Sequence, residues 1–212
     1  MSAANNILLA ALFVLAPAGA HAQAMSDQSP LTTWHGAPEA AQWNALAASA
    51  IDAHGSTLMA SVPSDVGAYC SNYGALDTEA RRTFWVGFLA ALANQESTND
   101  PTRVHWRAYD SDVHQPTFRR GLFQIAIESA HRKTYACEAR HGSELAAADA
   151  NIECAVRILD HDVGKDHLIA RDDRGHVAGG ARYWPSLKNE SERSAIANET
   201  ANLAPCASPK TQ

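Results

Sequence analysis

Residues 77–101, DTEARRTFWVGFLAALANQESTNDP, decide the fold. The large apolar side chains of this stretch recur at i, i+1, i+4, i+5 and i+8, and they are Phe84, Trp85, Phe88, Leu89 and Leu92. This spacing predicts a helix that is buried on most of its sides. Asp77 and the residues after it are typical of a helix start, and Pro101 ends the pattern. The centre of the predicted domain is therefore a buried helix that carries Glu96 in its last turn.

Glu96 is the first candidate for chemistry. A carboxyl at the C-terminal end of an apolar helix lies against a desolvating wall and near the negative end of the helix dipole. Both effects disfavour the ionised form and raise the pKa of the carboxyl, as a general acid that works near neutral pH requires. The simpler interpretation is a helix-terminal glutamate exposed to water, which is the commoner fate of this residue type.

The sequence on either side of this helix is mainly helical in pattern. Helices are predicted over residues 38–54, 122–140, 149–159 and 191–203, and a short hairpin over residues 169–177. Residues 101–120 show no helical period and predict a long irregular segment or a small strand lobe. Such long segments inside compact domains tend to be functional. The predicted fold class is mainly α, of the α+β type.

The first residues of the chain differ in composition from the rest. Residues 7–18 are almost entirely apolar, no charged residue precedes Asp27, and alanines at 20, 22 and 24 offer two A-x-A cleavage sites. This layout is typical of a secretory signal peptide over residues 1–24, and its apolar stretch is too short to span a membrane. The expected order is then a flexible mature N-terminus over 25–37, one domain over 38–206 and a tail over 207–212.

Charge limits the classes of partner. The net charge is −6, and no basic stripe of the kind that binds nucleic acid is present. The same acidity argues against tight electrostatic adsorption to an anionic cell wall, so binding would have to come from a groove. We expect no contact with a membrane once the signal peptide is removed, and no metal or cofactor. The acidic and histidine residues of 160–167 are interpreted as a charged, solvated turn.

Four cysteines lie outside the predicted signal peptide. An even number in an exported chain predicts two disulfides, for which three pairings exist. We favour Cys137–Cys154, which closes a short loop between two predicted helices, together with Cys70–Cys206, which ties the tail to the start of the domain. No C-x-x-C pair is present, which argues against a zinc knuckle.

Four motifs in order resemble a known family. They are Glu96-Ser97 after the apolar helix, residues 121–125 (GLFQI), a helix led by Asn151, and Tyr183-Trp184. This order is similar to that of the soluble lytic transglycosylases and goose-type lysozymes, and the positions of two cysteines resemble a cysteine-containing branch of that group. The resemblance covers roughly residues 80–187. It implies a lysozyme-like domain in which a saccharide groove is flanked by the small lobe.

The resemblance also implies roles for individual residues. Glu96 would be the general acid/base that cuts the β-1,4 bond between N-acetylmuramic acid and N-acetylglucosamine in peptidoglycan. Ser97 would hold the substrate, Gln124 and the backbone near Gly121 would line the groove, and Tyr183 would be a hydrogen-bonding partner of Glu96. Asn151, at the head of its helix, is the remaining candidate for substrate binding.

Two mechanisms remain open at this point. A lytic transglycosylase needs no second carboxylate, because the 6-hydroxyl of the muramic acid closes a 1,6-anhydro ring. An inverting hydrolase needs a second carboxylate to activate water. Asp110 and Asp112 are candidates for that base, and solvated loop acids are the alternative interpretation of both.

The biological setting of such an enzyme also stays open. The substrate would be peptidoglycan glycan strands in the periplasm or outside the cell. A secretion apparatus, or an immunity protein against a toxin, would be a protein partner. A non-catalytic saccharide-binding protein of the same fold is the alternative to an enzyme.

Overall fold

A computed structural model describes residues 34–110, 115–173 and 175–207. The predicted signal peptide, residues 1–24, lies outside these ranges. Within them the fold is of the α+β class and mainly helical, as predicted. The helices are α1 (Ala40–His54), α2 (Ser56–Ala60), α3 (Thr78–Ser97), α4 (Ile127–Ala130), α5 (Ala148–Asp166), α6 (Pro185–Lys188) and α7 (Glu190–Ala201). The strands are β1 (Val104–Asp110), β2 (Gln115–Arg120), β3 (Ile125–Ala126), β4 (Ala170–Asp173) and β5 (His176–Gly179).

Helix α3 is the buried central helix that the sequence predicts. Asp77 caps its N-terminus, because the Asp77 carboxylate accepts a hydrogen bond from the Ala80 amide at 2.8 Å. The side chains from Phe84 to Ala93 are all buried. Thr98 ends the helix in the left-handed conformation. The helix packs against α1 and α7, so it presents its last turn, with Glu96, at the edge of the core.

The packed domain begins earlier than predicted. Trp34 is fully buried, and its indole N–H donates a hydrogen bond to the Asn44 side chain at 2.8 Å. Its ring meets the rings of Trp43 and Phe123 edge to face. The core therefore includes Trp34, with the partly buried Ala37 packed against it, and both lie before the domain boundary predicted at residue 38. One tryptophan in a polar stretch has no periodicity by which its burial could be recognised.

The segment predicted as irregular or as a strand lobe contains a β-hairpin. Strands β1 and β2 pair antiparallel, with His105 opposite Arg119 and Trp106 opposite Phe118, and a bulge lies between Trp106 and Ala108. Strand β3 adds to β2 through two pairs of residues. The small three-stranded sheet follows directly on the end of α3. A second hairpin, β4–β5, confirms the one predicted over residues 169–177.

The helix predicted over residues 122–140 is wrong for most of its length. Only the four residues of α4 are α-helical, because Gly121 and Gln124 have left-handed backbones and β3 pairs with β2. The apolar residues of the segment are buried, as their pattern indicates, but they are held by tertiary hydrogen bonds instead of helical ones. The predicted helices near 38–54, 149–159 and 191–203 are confirmed as α1, α5 and α7.

Both favoured disulfides are present. Cys70–Cys206 joins the segment before α3 to the end of the chain that follows α7, and Cys137–Cys154 joins the loop after α4 to α5. None of the helices in the described ranges is long and apolar enough to span a bilayer.

Candidate active site

An open cleft of about 420 Å³ lies where the end of α3, the β1–β2 hairpin and the start of α6 meet. Its lining residues are Glu96, Arg103, His105, Trp106, Arg107, Arg119, Gln124 and Pro185. Trp106 is 60% exposed, which is unusual for so large an apolar ring. Glu96 is the only acidic residue among the described residues that line the cleft.

A larger cavity, of about 530 Å³, is a weaker candidate. The charged groups in it already serve the fold. The Asp160 carboxylate accepts hydrogen bonds from the amides of Thr57 and Leu58 and so caps α2. Arg157 forms ion pairs with Glu138 and Glu153. No group of three or more potential metal ligands occurs among the described residues.

Glu96 combines burial with an opening to the cleft. Its side chain is half-buried, and its Oε1 accepts a hydrogen bond from the Ser186 hydroxyl at 2.5 Å and a longer one from the Ser186 amide at 3.4 Å. Burial raises the pKa of Glu96 above its ordinary value. The bonds from Ser186 and the positive charge of Arg119 oppose this shift, but burial outweighs them. A carboxyl in this state retains its proton to a higher pH than a solvated glutamate does.

Ser186 is the residue that sequence reasoning missed. It lies at the start of α6, directly after Pro185, and helix α6 is held in place because the Trp184 indole donates to the Phe123 carbonyl at 3.0 Å. Tyr183 was predicted to be the partner of Glu96. Its hydroxyl instead accepts a hydrogen bond from the Ala126 amide at 3.1 Å. The Pro-Ser pair marks a helix start in the sequence, but nothing there indicates that this start meets Glu96.

We expect Ser186→Ala to raise the pKa of Glu96 further. The hydroxyl of Ser186 stabilises the ionised carboxylate, so its removal favours the protonated form and moves the titration to higher pH. The measurement is a ¹³C NMR titration of the Glu96 side-chain carboxyl in both proteins. Ser194→Ala, on the exposed side of α7, is the control and leaves the titration unchanged. A pKa that falls or does not move in Ser186→Ala would contradict this account of the site.

The loop over residues 121–124 packs inward. Gly121 has a φ of +76°, and a Cβ at this position would lie 2.3 Å from the Leu145 carbonyl oxygen and 2.5 Å from the Asn151 side-chain nitrogen. The sequence predicted a glycine that lets the backbone approach a ligand. The close approach in the structure is to the segment that leads into α5, and an approach of this backbone to a ligand stays a prediction. Gln124 does line the cleft, and its amide nitrogen donates to the carbonyls of Gly121 and Arg103.

Asn151 holds this loop in place from the first turn of α5. Its side chain is fully buried, and both its oxygen and its nitrogen form hydrogen bonds. The oxygen accepts from the Phe123 amide at 2.8 Å, and the nitrogen donates to the carbonyls of Arg120 and Leu145 at 3.0 and 2.8 Å. These bonds leave it no free group for the substrate contact that the sequence predicted. Asn151 is a positioning residue for the loop.

We expect Asn151→Ala to lower the free energy of unfolding by about 2–4 kcal/mol, because it leaves one amide and two carbonyls of the buried loop without their partner. The measurement is urea unfolding followed by circular dichroism. Asn198→Ala, at an exposed position of helix α7, is the matched control and changes stability by less than about 0.5 kcal/mol. If Asn151→Ala is as stable as the wild type, the three bonds do not have the structural role assigned to them.

The remaining predicted site residues are less central. Ser97 is buried and its hydroxyl donates to the Ala93 carbonyl at 3.1 Å within α3, so it is not among the residues that line the cleft. Asp110 is the last residue of β1, and its side chain lies outside what the structure describes. Asp112 lies in the segment between the described ranges. The candidates for a second carboxylate therefore stay predictions.

Comparison with known proteins gives a structural relative. No protein-family model matches the sequence, and no curated protein matches it. A solved structure of Bd0314 DslA, a variant with glutamine in place of one glutamate, has a TM-score of 0.76 and 28% identity, covering 82% of this chain and 95% of that one. Wild-type DslA has a TM-score of 0.75 at the same identity and over the same share of this chain. The chain is thus similar in fold to DslA over most of the length of both.

Proposed function

We propose that this protein is an exported, lysozyme-like enzyme that cleaves the β-1,4 bond between N-acetylmuramic acid and N-acetylglucosamine in peptidoglycan. The observation that carries the proposal is the state of Glu96. Its carboxyl is desolvated, has a raised pKa and faces an open cleft. A carboxyl whose pKa is raised keeps its proton to a higher pH than a solvated glutamate does, and it can donate that proton to a glycosidic oxygen. The ordered motifs that resemble lytic transglycosylases and goose-type lysozymes support the same assignment.

The geometry of the cleft supports an acid step. Protonated Glu96 donates to the glycosidic oxygen as positive charge develops on the sugar ring, and the bond to the leaving sugar breaks. The Ser186 hydroxyl and amide then stabilise the carboxylate that remains. Trp106 offers an exposed indole face against which a pyranose ring can pack. Each of these groups has a defined task in the first half of the reaction.

The second half of the reaction can take two forms, and the described residues provide a base for only one of them. As Glu96 is the only acid among the described cleft residues, it is the only described candidate for the base that follows. In one form it deprotonates the muramic 6-hydroxyl, which closes an anhydro ring. In the other, a second carboxylate such as Asp110 or Asp112 activates water. We favour a muramidase-type activity and keep both forms as outcomes of the test.

The test is digestion of purified sacculi by residues 25–212, with product masses read out. Release of soluble muropeptides supports the proposal. Products lighter than their hydrated counterparts by one water identify the anhydro-forming reaction, and hydrated products identify hydrolysis. Glu96→Gln protein is the parallel sample. Intact sacculi after incubation with wild type, together with retained binding, would favour the alternative of a saccharide-binding protein.

The cellular setting is part of the proposal. The two disulfides are compatible with an oxidising compartment, such as the periplasm or the medium. An export signal over residues 1–24 would lead there, and removal of that segment from the secreted protein is the observation that checks it. Peptidoglycan strands are the partner that the proposed activity implies. A secretion apparatus or an immunity protein would be an additional partner.

A further inference from the structure

The cleft carries a charge opposite to that of the chain. The net charge of the protein is −6. The cleft nevertheless presents one carboxyl, Glu96, against the basic side chains of Arg103, Arg107 and Arg119, with His105 beside them. Local charge of this sign, in a concave site, attracts anionic ligands even when the whole molecule is acidic. The general acidity of the chain therefore does not describe the surface that meets the substrate.

The β1–β2 hairpin brings these side chains together. His105 and Arg119 are directly opposed in the antiparallel ladder, so their side chains lie on the same face of the sheet. Arg103 precedes β1, and its carbonyl accepts a hydrogen bond from the Gly121 amide, which fixes the base of the hairpin. The bulge after Trp106 interrupts the alternation of the strand at Arg107, so that adjacent side chains both reach the cleft.

Among the described residues, the arginines of the cleft are in none of the ion pairs that hold the fold. Within the described ranges, the arginines that form ion pairs are Arg82, Arg157 and Arg182. Arg119 stacks over the Tyr183 ring, with its guanidinium carbon 5.9 Å from the ring centroid. Arg103 and Arg107 are exposed. Exposed guanidinium groups at the wall of a cleft provide planar, two-pronged donors, and a carboxylate is the ligand that matches them.

We infer that Arg103 and Arg107 bind carboxylate groups of the glycan strand and so make the cleft selective for carboxylate-bearing strands over neutral ones. This inference rests on the proposed function. Two sources of carboxylate exist on such strands. One is the lactyl group of muramic acid, which is free when the stem peptide has been removed. The other is the stem peptide itself. A polymer of N-acetylglucosamine alone has neither.

The experiment measures binding in a protein that should not cleave. Glu96→Gln protein is titrated calorimetrically with three oligosaccharides of equal length: a peptide-free strand, the same strand with stem peptides, and an N-acetylglucosamine oligomer. We expect at least one carboxylate-bearing strand to bind about 10-fold or more tightly than the neutral oligomer. Adding Arg103→Gln and Arg107→Gln is expected to abolish that difference. Adding Arg140→Gln, an exposed arginine that does not line the cleft, keeps it.

Each outcome is decisive. Tight binding of the peptide-free strand identifies the lactyl carboxylate, and tight binding of the peptide-bearing strand alone identifies the stem peptide. Equal affinity for all three ligands, no binding of any, or a preference that survives both arginine substitutions overturns the inference. The proposed function is tested separately by wild-type cleavage of sacculi. Inert wild-type protein whose Glu96→Gln form still shows arginine-dependent selectivity would reject the catalytic role and leave the recognition of carboxylates standing.

Discussion

Glu96→Gln is expected to lower the rate of peptidoglycan cleavage by about 100- to 10,000-fold, which is the usual contribution of general acid–base catalysis. Glutamine keeps the shape of the side chain and an oxygen that accepts from the Ser186 hydroxyl, but it has no proton to donate at the pH of the reaction. The measurement is the initial rate of muropeptide release from sacculi. Glu190→Gln, at the exposed start of α7, is the control and keeps full activity. A Glu96→Gln protein with more than a tenth of wild-type activity would exclude Glu96 as the acid.

The same substitution has a predictable effect on stability. Burial raises the pKa of Glu96 in the folded protein above that in the unfolded chain. Its contribution to stability is therefore fully present below the unfolded-chain pKa and is lost as the pH rises through the folded pKa. Wherever the group is ionised in the folded protein, it costs free energy that glutamine does not. Glu96→Gln is thus expected to melt at the wild-type temperature or higher at pH 7, which separates loss of activity from loss of fold.

The central helix could be predicted because its causes are local in the sequence, and the disulfides because four cysteines allow only three pairings. The apolar spacing from Phe84 to Leu92 is sufficient for a buried helix, and Asp77 is sufficient for its start. The position of Glu96 in the last turn follows from these two facts. The sequence also predicts the raised pKa of Glu96, since a carboxyl at the end of an apolar helix lies against a desolvating wall.

The parts of the site that were missed depend on contacts between distant segments. Ser186 is 90 residues from Glu96 in the sequence, and only the packing of α6 against α3 makes it a hydrogen-bonding partner. The helix predicted after Gly121 fails for the same reason. Asn151 takes the amide of Phe123, and Tyr183 takes the amide of Ala126, which a helix beginning at residue 122 would have used. Tertiary hydrogen bonds of this kind override local propensity and leave no periodic signal.

Removal of the Cys70–Cys206 disulfide is expected to have the largest effect on stability. The bridge joins residues 136 positions apart, whereas Cys137–Cys154 spans 17. In the chain-entropy model the long loop contributes about 5 kcal/mol and the short one about 3 kcal/mol. The measurement is urea unfolding of two variants, each with one cysteine pair replaced by alanine. We expect the free energy of unfolding to fall more when Cys70 and Cys206 are replaced. Whole domains are stable by only about 5–15 kcal/mol, so this loss removes a third or more of the total stability.

The comparison between the two bridges also tests how the cleft is supported. Cys206 follows α7, which packs on α3, so the long bridge anchors the end of the chain behind the helix that carries Glu96. Loss of Cys70–Cys206 should then lower the melting temperature and the cleavage rate at 37 °C together, and both should recover at lower temperature as the folded fraction rises. The removal of Cys137–Cys154 could instead cost as much stability as the removal of Cys70–Cys206, or more. The entropy of the long loop would then not be the main contribution of Cys70–Cys206, and that contribution would lie in the contacts around its two buried side chains.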